Sequence, residues 1–259
     1  MGNWLLTLVL ILLGWGGGIA AAHMGEAAMA RRAVTGPRCP YCQTPAPPGQ
    51  WSLVIAWLSG HRHCGACGQP LRWERVAAEV LVAATWGLLG WRYGLQPASL
   101  LGILAALPLA MVLVTDLEAK LIPNRVMFPA IGAMLVLGVL FGPAMPAAPG
   151  WRLSTAPVGG LIGGLTFAFF VWFGTMLFGE GALGVGDIKL ATFVGLVVGY
   201  PWIITALVLT LLLGGLGGVI VLVVKRGSLR TAIPYGPFLV LGCVLTMIWG
   251  VEITHRFLY

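Results

Sequence analysis

Asp116 and Asp187 are the only aspartates in this 259-residue chain, and each sits beside a long apolar run. An ionisable acid at or near membrane depth is costly to keep there and marks a functional site by default. Two of them, with no others in the sequence, suggest a dyad. An ionised carboxylate can take a proton from water while a protonated partner donates to a carbonyl oxygen. A close pair can therefore hydrolyse a peptide bond without a nucleophilic side chain. The plainer alternative is that both acids only cap helix ends at the water interface. A helix N-terminus stabilises an anion and a C-terminus does not, so Asp116, which ends a span, is the expected proton holder. Asp187, which opens a helix, is the expected anion.

Asp187 lies in Gly184-Val185-Gly186-Asp187-Ile188-Lys189-Leu190. Glycines at 184 and 186 permit backbone conformations and close approaches that a side chain would block, and such a turn can lie against an extended peptide. Gly184, Gly186 and Lys189 are therefore the candidate substrate-binding residues. Asp116 is followed by Leu117-Glu118-Ala119-Lys120-Leu121-Ile122-Pro123-Asn124, in which Pro123 biases Ile122 away from helix and stops the span. Glu118 and Glu180 lie near the aspartates and are stand-in acids. No serine sits in a G-x-S-x-G elbow.

The second constellation is Cys39-Pro40-Tyr41-Cys42 and Cys64-Gly65-Ala66-Cys67, separated by residues 43–63. Four thiolates in two C-x-x-C knuckles can close a tetrahedral Zn²⁺ site. With four sulfur ligands and no open position, the zinc is expected to be structural. Two disulfides are the alternative, which a reducing cytoplasm disfavours. Cys243, inside the last apolar run, reads as packing.

The elements that must position these residues are membrane spans. Hydrophobic residues make up 59% of the chain and charged residues 9%. A soluble domain carries about a quarter charged residues, so that class is excluded. Apolar segments run over 4–22, 76–93, 97–115, 126–142, 156–178, 188–199, 202–224 and 237–254. The first has no Lys or Arg before it and no clear cleavage site after it, and reads as a retained span. His23 and Glu26 share a helical face beyond it and read as a solvated helix end rather than a metal pair. Trp86, Trp91, Trp151, Trp202 and Trp249 lie where interface anchors are expected. Gly159 with Gly163, Gly160 with Gly164, and Gly214 with Gly218 are small-xxx-small pairs that let helices approach.

The net charge of +7 is read through topology. Placing residues 31–75 in the cytoplasm puts Arg31, Arg32, Arg38, Arg62, Arg72 and Arg75 inside. Lys120, Arg125, Lys189, Lys225, Arg226 and Arg230 follow them, leaving only Arg92, Arg152 and Arg256 outside. In that sense of threading both aspartates fall at cytoplasmic ends of different spans. Basic runs interleaved with aromatics are absent, so no nucleic-acid partner is expected.

These residues together resemble the type IV prepilin peptidases, membrane aspartic proteases that process pilins and type II secretion pseudopilins. The paired C-x-x-C lies in the first cytoplasmic loop. Asp116 precedes Leu121-Ile122-Pro123-Asn124 like the family's aspartate before an I/L-P-N/D turn. Gly184 to Leu190 looks like its G-x-G-D-x-K-L box, and Ile233-Pro234-Tyr235-Gly236-Pro237-Phe238 is similar to its P-x-G-P-F entry to the last span.

The resemblance implies an all-α, polytopic membrane fold with about eight transmembrane helices and a small cytoplasmic zinc-binding loop. Residues 1–30 would be the first span, 31–75 the loop and 76–259 the aspartic protease core. Asp116 and Asp187 carry over as the catalytic pair, cutting a short basic leader from a prepilin or pseudopilin at the inner, cytoplasmic face of a bacterial inner membrane. Many members also N-methylate the new amino terminus with S-adenosylmethionine. Here Arg62-His63-Cys64 replaces the family's G-K-C, which is tied to methyl transfer. Gly18-Ile19-Ala20-Ala21-Ala22-His23 replaces its G-S-F-L-N-V. Other readings are a different G-x-G-D protease, of presenilin or signal-peptide-peptidase type, and a proton-coupled transporter using the acids as a relay. The cysteine loop argues against the first, and the lack of internal symmetry against the second.

Overall fold

The computed structural model describes residues 4–30, 36–39, 41–145, 155–178, 184–224 and 234–258. Pro40, Trp151, Arg152, Glu180, Lys225, Arg226, Arg230 and Ile233 lie outside them, as do Arg31 and Arg32. The elements are α1 (Trp4–Met29), α2 (Leu53–Leu58), α3 (Glu74–Tyr93), α4 (Pro97–Ala119), α5 (Asn124–Phe141), α6 (Thr155–Phe178), α7 (Val185–Val198), α8 (Trp202–Val224) and α9 (Gly236–Leu258). Among the described residues the only β contacts are two isolated bridges, Arg38 with Pro45 and His63 with Pro70.

Eight of these helices are long, one for each expected apolar segment. Six (α1, α4, α5, α6, α8 and α9) are long and apolar enough to cross a bilayer. The other two fall short for visible reasons. Glu74, Arg75 and Glu79 crowd the first turns of α3. α7 has 14 residues and reaches about 21 Å, less than a hydrocarbon core of about 30 Å. Shortness does not put α7 at the edge. Its residues Leu190, Phe193, Val194, Val197 and Val198 are all buried, and together with α4 and α9 it forms the interior.

Close approach of backbones makes that interior possible. A side chain at Gly159 or Gly163 of α6 would run into the carbonyls of Gly195 and Ala191 on α7. Gly214 takes the Tyr235 ring from the α9 entry, but Gly218 faces open space. The close contact instead falls at Gly217, against the Phe238 ring. Trp86, expected at an interface, lies inside α3, and its indole N–H donates to the Ile103 carbonyl of α4 at 2.9 Å.

The cysteine loop is seated by buried charge. Glu79, in the second turn of α3, accepts from Trp15 Nε1 (2.7 Å), Ser52 Oγ (2.5 Å) and the Leu53 N–H (2.7 Å). It thereby fixes the start of α2 to α3 and α1. Arg75 pairs with Glu26, and both are buried. The expected solvated end of α1 is thus a packed junction. His23 beside it donates to the Trp51 carbonyl at 3.3 Å.

Candidate active site

α4 runs to Ala119 and stops where Lys120 turns left-handed (φ 52), its N–H closing on the Asp116 carbonyl. The chain then passes through Leu121 and Ile122 to Pro123, whose fixed φ (−72) starts α5 at Asn124. This stop leaves Asp116 on the last turn of α4, only 5% exposed. Its Oδ2 accepts the backbone N–H of Gly236, the first residue of α9, at 2.9 Å. A Cβ at position 236 would sit 2.6 Å from that oxygen. Only glycine leaves room for the contact. Lys120 adds a nearby positive charge.

Asp187 comes from the first turn of α7 and is 7% exposed. Its Oδ2 accepts the Gly184 N–H at 3.3 Å, while its own N–H donates to the Gly184 carbonyl at 3.0 Å. The carboxylate thus satisfies one orphan donor at its own helix start. The structure brings Asp116 and Asp187 together closely enough for their charges to interact. Each holds one backbone donor, so helix ends alone do not set the pair apart. Tyr235 completes the group. Its phenol lies within charge range of Asp187, and its ring packs at 5.8 Å from Phe167 and 5.9 Å from Phe238.

The two glycines of the box have different reasons. Gly186 packs on Ile122, whose side chain would lie 3.0 Å from a Cβ there, so the turn after Asp116 is pressed against the helix that carries Asp187. Gly184 has an ordinary extended backbone (φ −82, ψ 138), and a Cβ would make only ordinary contacts, with Asp187 Oδ2 at 3.5 Å and the Gly186 nitrogen at 3.8 Å. It is exposed at the mouth of the site. Lys189 donates to Asn124 Oδ1 at 2.6 Å and lies over the Phe128 ring at 5.2 Å. It ties α7 to α5 through the same Pro123-Asn124 corner.

Glu118 turns away from the pair toward the loop, where Arg72 Nη1 meets it at 2.9 Å. It is engaged as an ion-pair partner, not as a spare acid. Gly236 and Tyr235 carry no acid–base signal of their own in sequence. The clue to Gly236 is its place in Pro234-Tyr235-Gly236-Pro237, a glycine between prolines at a helix start.

The four cysteines converge. Their sulfurs all lie within 4.8 Å of one another, with Cys39 to Cys67 and Cys42 to Cys64 both at 3.7 Å. Zinc–sulfur bonds of about 2.3 Å set the edges of a tetrahedron near 3.8 Å, so the cluster fits such an ion. The knuckles repeat one turn. The N–H of Gln43 bonds the Cys39 carbonyl, and that of Gly68 bonds the Cys64 carbonyl, with φ of 59 at Gln43 and 69 at Gly68. The Thr44 hydroxyl and N–H beside Cys42 pull its thiol down to about 6, favouring the thiolate that a metal needs.

Comparison with known proteins agrees with this geometry. Residues 103–219 match the model of the type IV leader peptidase family. The stretch holds both aspartates. The prepilin leader peptidase/N-methyltransferase of Pseudomonas putida is 28% identical over 77% of this chain and 67% of its own length. That of Aeromonas hydrophila is 28% identical over 85% of this chain and 73% of its own. That of Bacillus subtilis (strain 168) is 26% identical over 82% and 81%. No solved structure matches. By these matches residues 103–219 are similar to the type IV leader peptidase family, and the chain as a whole is similar to prepilin leader peptidase/N-methyltransferases.

Proposed function

We propose that this protein is a membrane-embedded aspartyl endopeptidase that removes the short basic leader of type IV prepilins or pseudopilins, with Asp116 and Asp187 as its catalytic pair. The observation that carries the reading is the meeting of these two carboxylates, the only aspartates in the chain, in a nearly buried site built from four elements. In the proposed step one carboxylate takes a proton from water as the water attacks the scissile carbonyl carbon. The other donates its proton to the carbonyl oxygen. As the C–N bond breaks, the carboxyl that took the water proton gives it to the leaving nitrogen, the other carboxylate takes a proton back from a hydroxyl of the tetrahedral diol, and the pair returns to its starting charge. Gly184, exposed beside Asp187, offers backbone for an extended substrate, and Lys189 holds the wall on which that substrate would lie.

A cytoplasmic site is the orientation we favour. Arg92 at the end of α3 pairs with Glu252 at the end of α9, which marks the face opposite the aspartates. Arg38, Arg62, Arg72, Arg75, Lys120, Arg125 and Lys189, most of the basic residues among the described ones, then lie on the aspartate side, as expected for an inner face. Cys39, Cys42, Cys64 and Cys67 would hold a zinc ion whose contribution is to fold the loop. A transporter relay is disfavoured because both acids sit at helix ends rather than along a path at mid-depth.

The test is cleavage of a prepilin-like substrate by purified protein. Wild type is expected to cut, while Asp116→Asn and Asp187→Asn do not; persistent cleavage in either variant ends the proposal. The relatives' names also include N-methyl transfer. Supplying S-adenosylmethionine and weighing the cleaved product decides whether this chain adds a methyl group.

A further inference from the structure

The last turn of α4 is held on two sides. On one, Asp116 accepts the Gly236 N–H. On the other, Glu118 meets Arg72 at 2.9 Å, with its side chain only 3% exposed. Residues two apart on an α-helix leave it about 200° apart, so the two carboxylates depart one turn in nearly opposite directions. A carboxylate at 118 also faces the negative end of the helix dipole, so the turn itself does not favour it. Its charge is sustained there by the guanidinium opposite.

That guanidinium is in turn placed by the cysteine loop. Arg72 follows the second knuckle, and its charge lies 5.4 Å over the ring of Tyr41, which sits between Cys39 and Cys42 of the first. The adjacent Leu71 N–H donates to the Arg62 carbonyl at 2.8 Å and holds the segment in place. Both knuckles therefore bear on the cation paired with Glu118, beside which Arg75 adds a second positive charge. Loss of the metal would free the two knuckles from each other and loosen the register of Tyr41 on Arg72.

We infer that Arg72 and Glu118 are positioning residues that carry the fold of the four-cysteine loop to Asp116, so that holding a metal and holding the carboxylate pair in geometry are coupled. The catalytic half of this inference rests on the endopeptidase reading; the metal half does not. By linkage, a substitution on α4 must weaken metal retention in the loop, and metal loss must disturb α4.

The full chain is tested as wild type, Arg72→Gln, Glu118→Gln, the double glutamine variant and the reversed pair Arg72→Glu/Glu118→Arg. The first readout is zinc retention against a competing chelator, which needs no substrate. Each single variant is expected to hold zinc about tenfold less tightly, the double variant no worse than the weaker single, and the reversed pair better than either single. The second readout is kcat and KM on a prepilin-like peptide. Single variants are expected to lower kcat about tenfold with KM within about twofold. Stripping zinc should bring wild type to that level and leave the variants where they are.

Unchanged zinc retention in Glu118→Gln overturns the link, and so do losses from chelation and substitution that multiply independently. If Arg72→Gln fails to fold, Arg72→Lys replaces it, keeping the charge but not the planar fork. A wild type that cuts nothing is a failure of the endopeptidase reading, and zinc retention still decides the link.

Discussion

The backbone N–H of Gly236 reaches Asp116 Oδ2 at 2.9 Å and joins residues 120 positions apart in the chain. It makes the entry of α9 part of the site, and it requires the absence of a side chain. Gly236→Ala would place a methyl 2.6 Å from that oxygen and force the carboxylate aside. Displacements of about 1 Å cost about 100-fold in rate, so we expect a loss of that order in kcat with little change in thermal melting. Activity within a factor of three of wild type would refute the contact's importance.

Gly184 gives the same expectation for stability on different grounds. Its backbone is ordinary and the space at its Cβ is free enough for alanine. Gly184→Ala should shift unfolding by less than about 0.5 kcal/mol. A rise in KM in a variant that melts normally would then identify the substrate's path over residue 184, and an unchanged KM would remove Gly184 from that path.

Lys189 can be separated into a structural tie and a substrate contact. Lys189→Met and Asn124→Ala both remove the 2.6 Å bond between α7 and α5, so each should cost about 1 kcal/mol, and the double variant little more than either. If Lys189 also touches substrate, KM rises for Lys189→Met and not for Asn124→Ala. Equal KM in the two variants confines the lysine to the tie.

The α6–α7 seam is sensitive to size in a position-specific way. Gly159→Leu pushes a side chain into the Gly195 carbonyl and should destabilise by more than about 2 kcal/mol. Gly218→Leu, at a glycine of the same apparent pattern, meets open space and should stay within about 0.5 kcal/mol. Reconstituted protein unfolded in a graded denaturing detergent measures both. Equal effects would mean that this seam is misplaced.

Metal content tests the cysteine cluster directly. Wild type is expected to bind one zinc per chain, and Cys39→Ser or Cys64→Ser to lose it, as measured by elemental analysis of purified protein. Wild type without zinc after purification in its presence would refute a zinc site. Protease should nick the loop over residues 36–73 in the cysteine variants while the long helices stay intact.

Composition and spacing alone determined the class and the segments. A chain 59% hydrophobic and 9% charged can only be membrane-embedded helix, and all eight long helices among the described residues fall on apolar runs visible by inspection. The two aspartates and four cysteines were also legible, because such groups are too costly or too reactive to appear in pairs without a purpose. Only the tertiary structure decided which side chain faces which. It turned Glu118 from the aspartates to Arg72, buried Glu26 against Arg75, gave Lys189 to Asn124 and drew Gly236 onto Asp116. In an apolar helix the usual hydrophobic stripe is missing, since nearly every face is oily. Orientation is then set by close backbone approaches and a few buried polar contacts between distant residues, and neither leaves a period in the sequence.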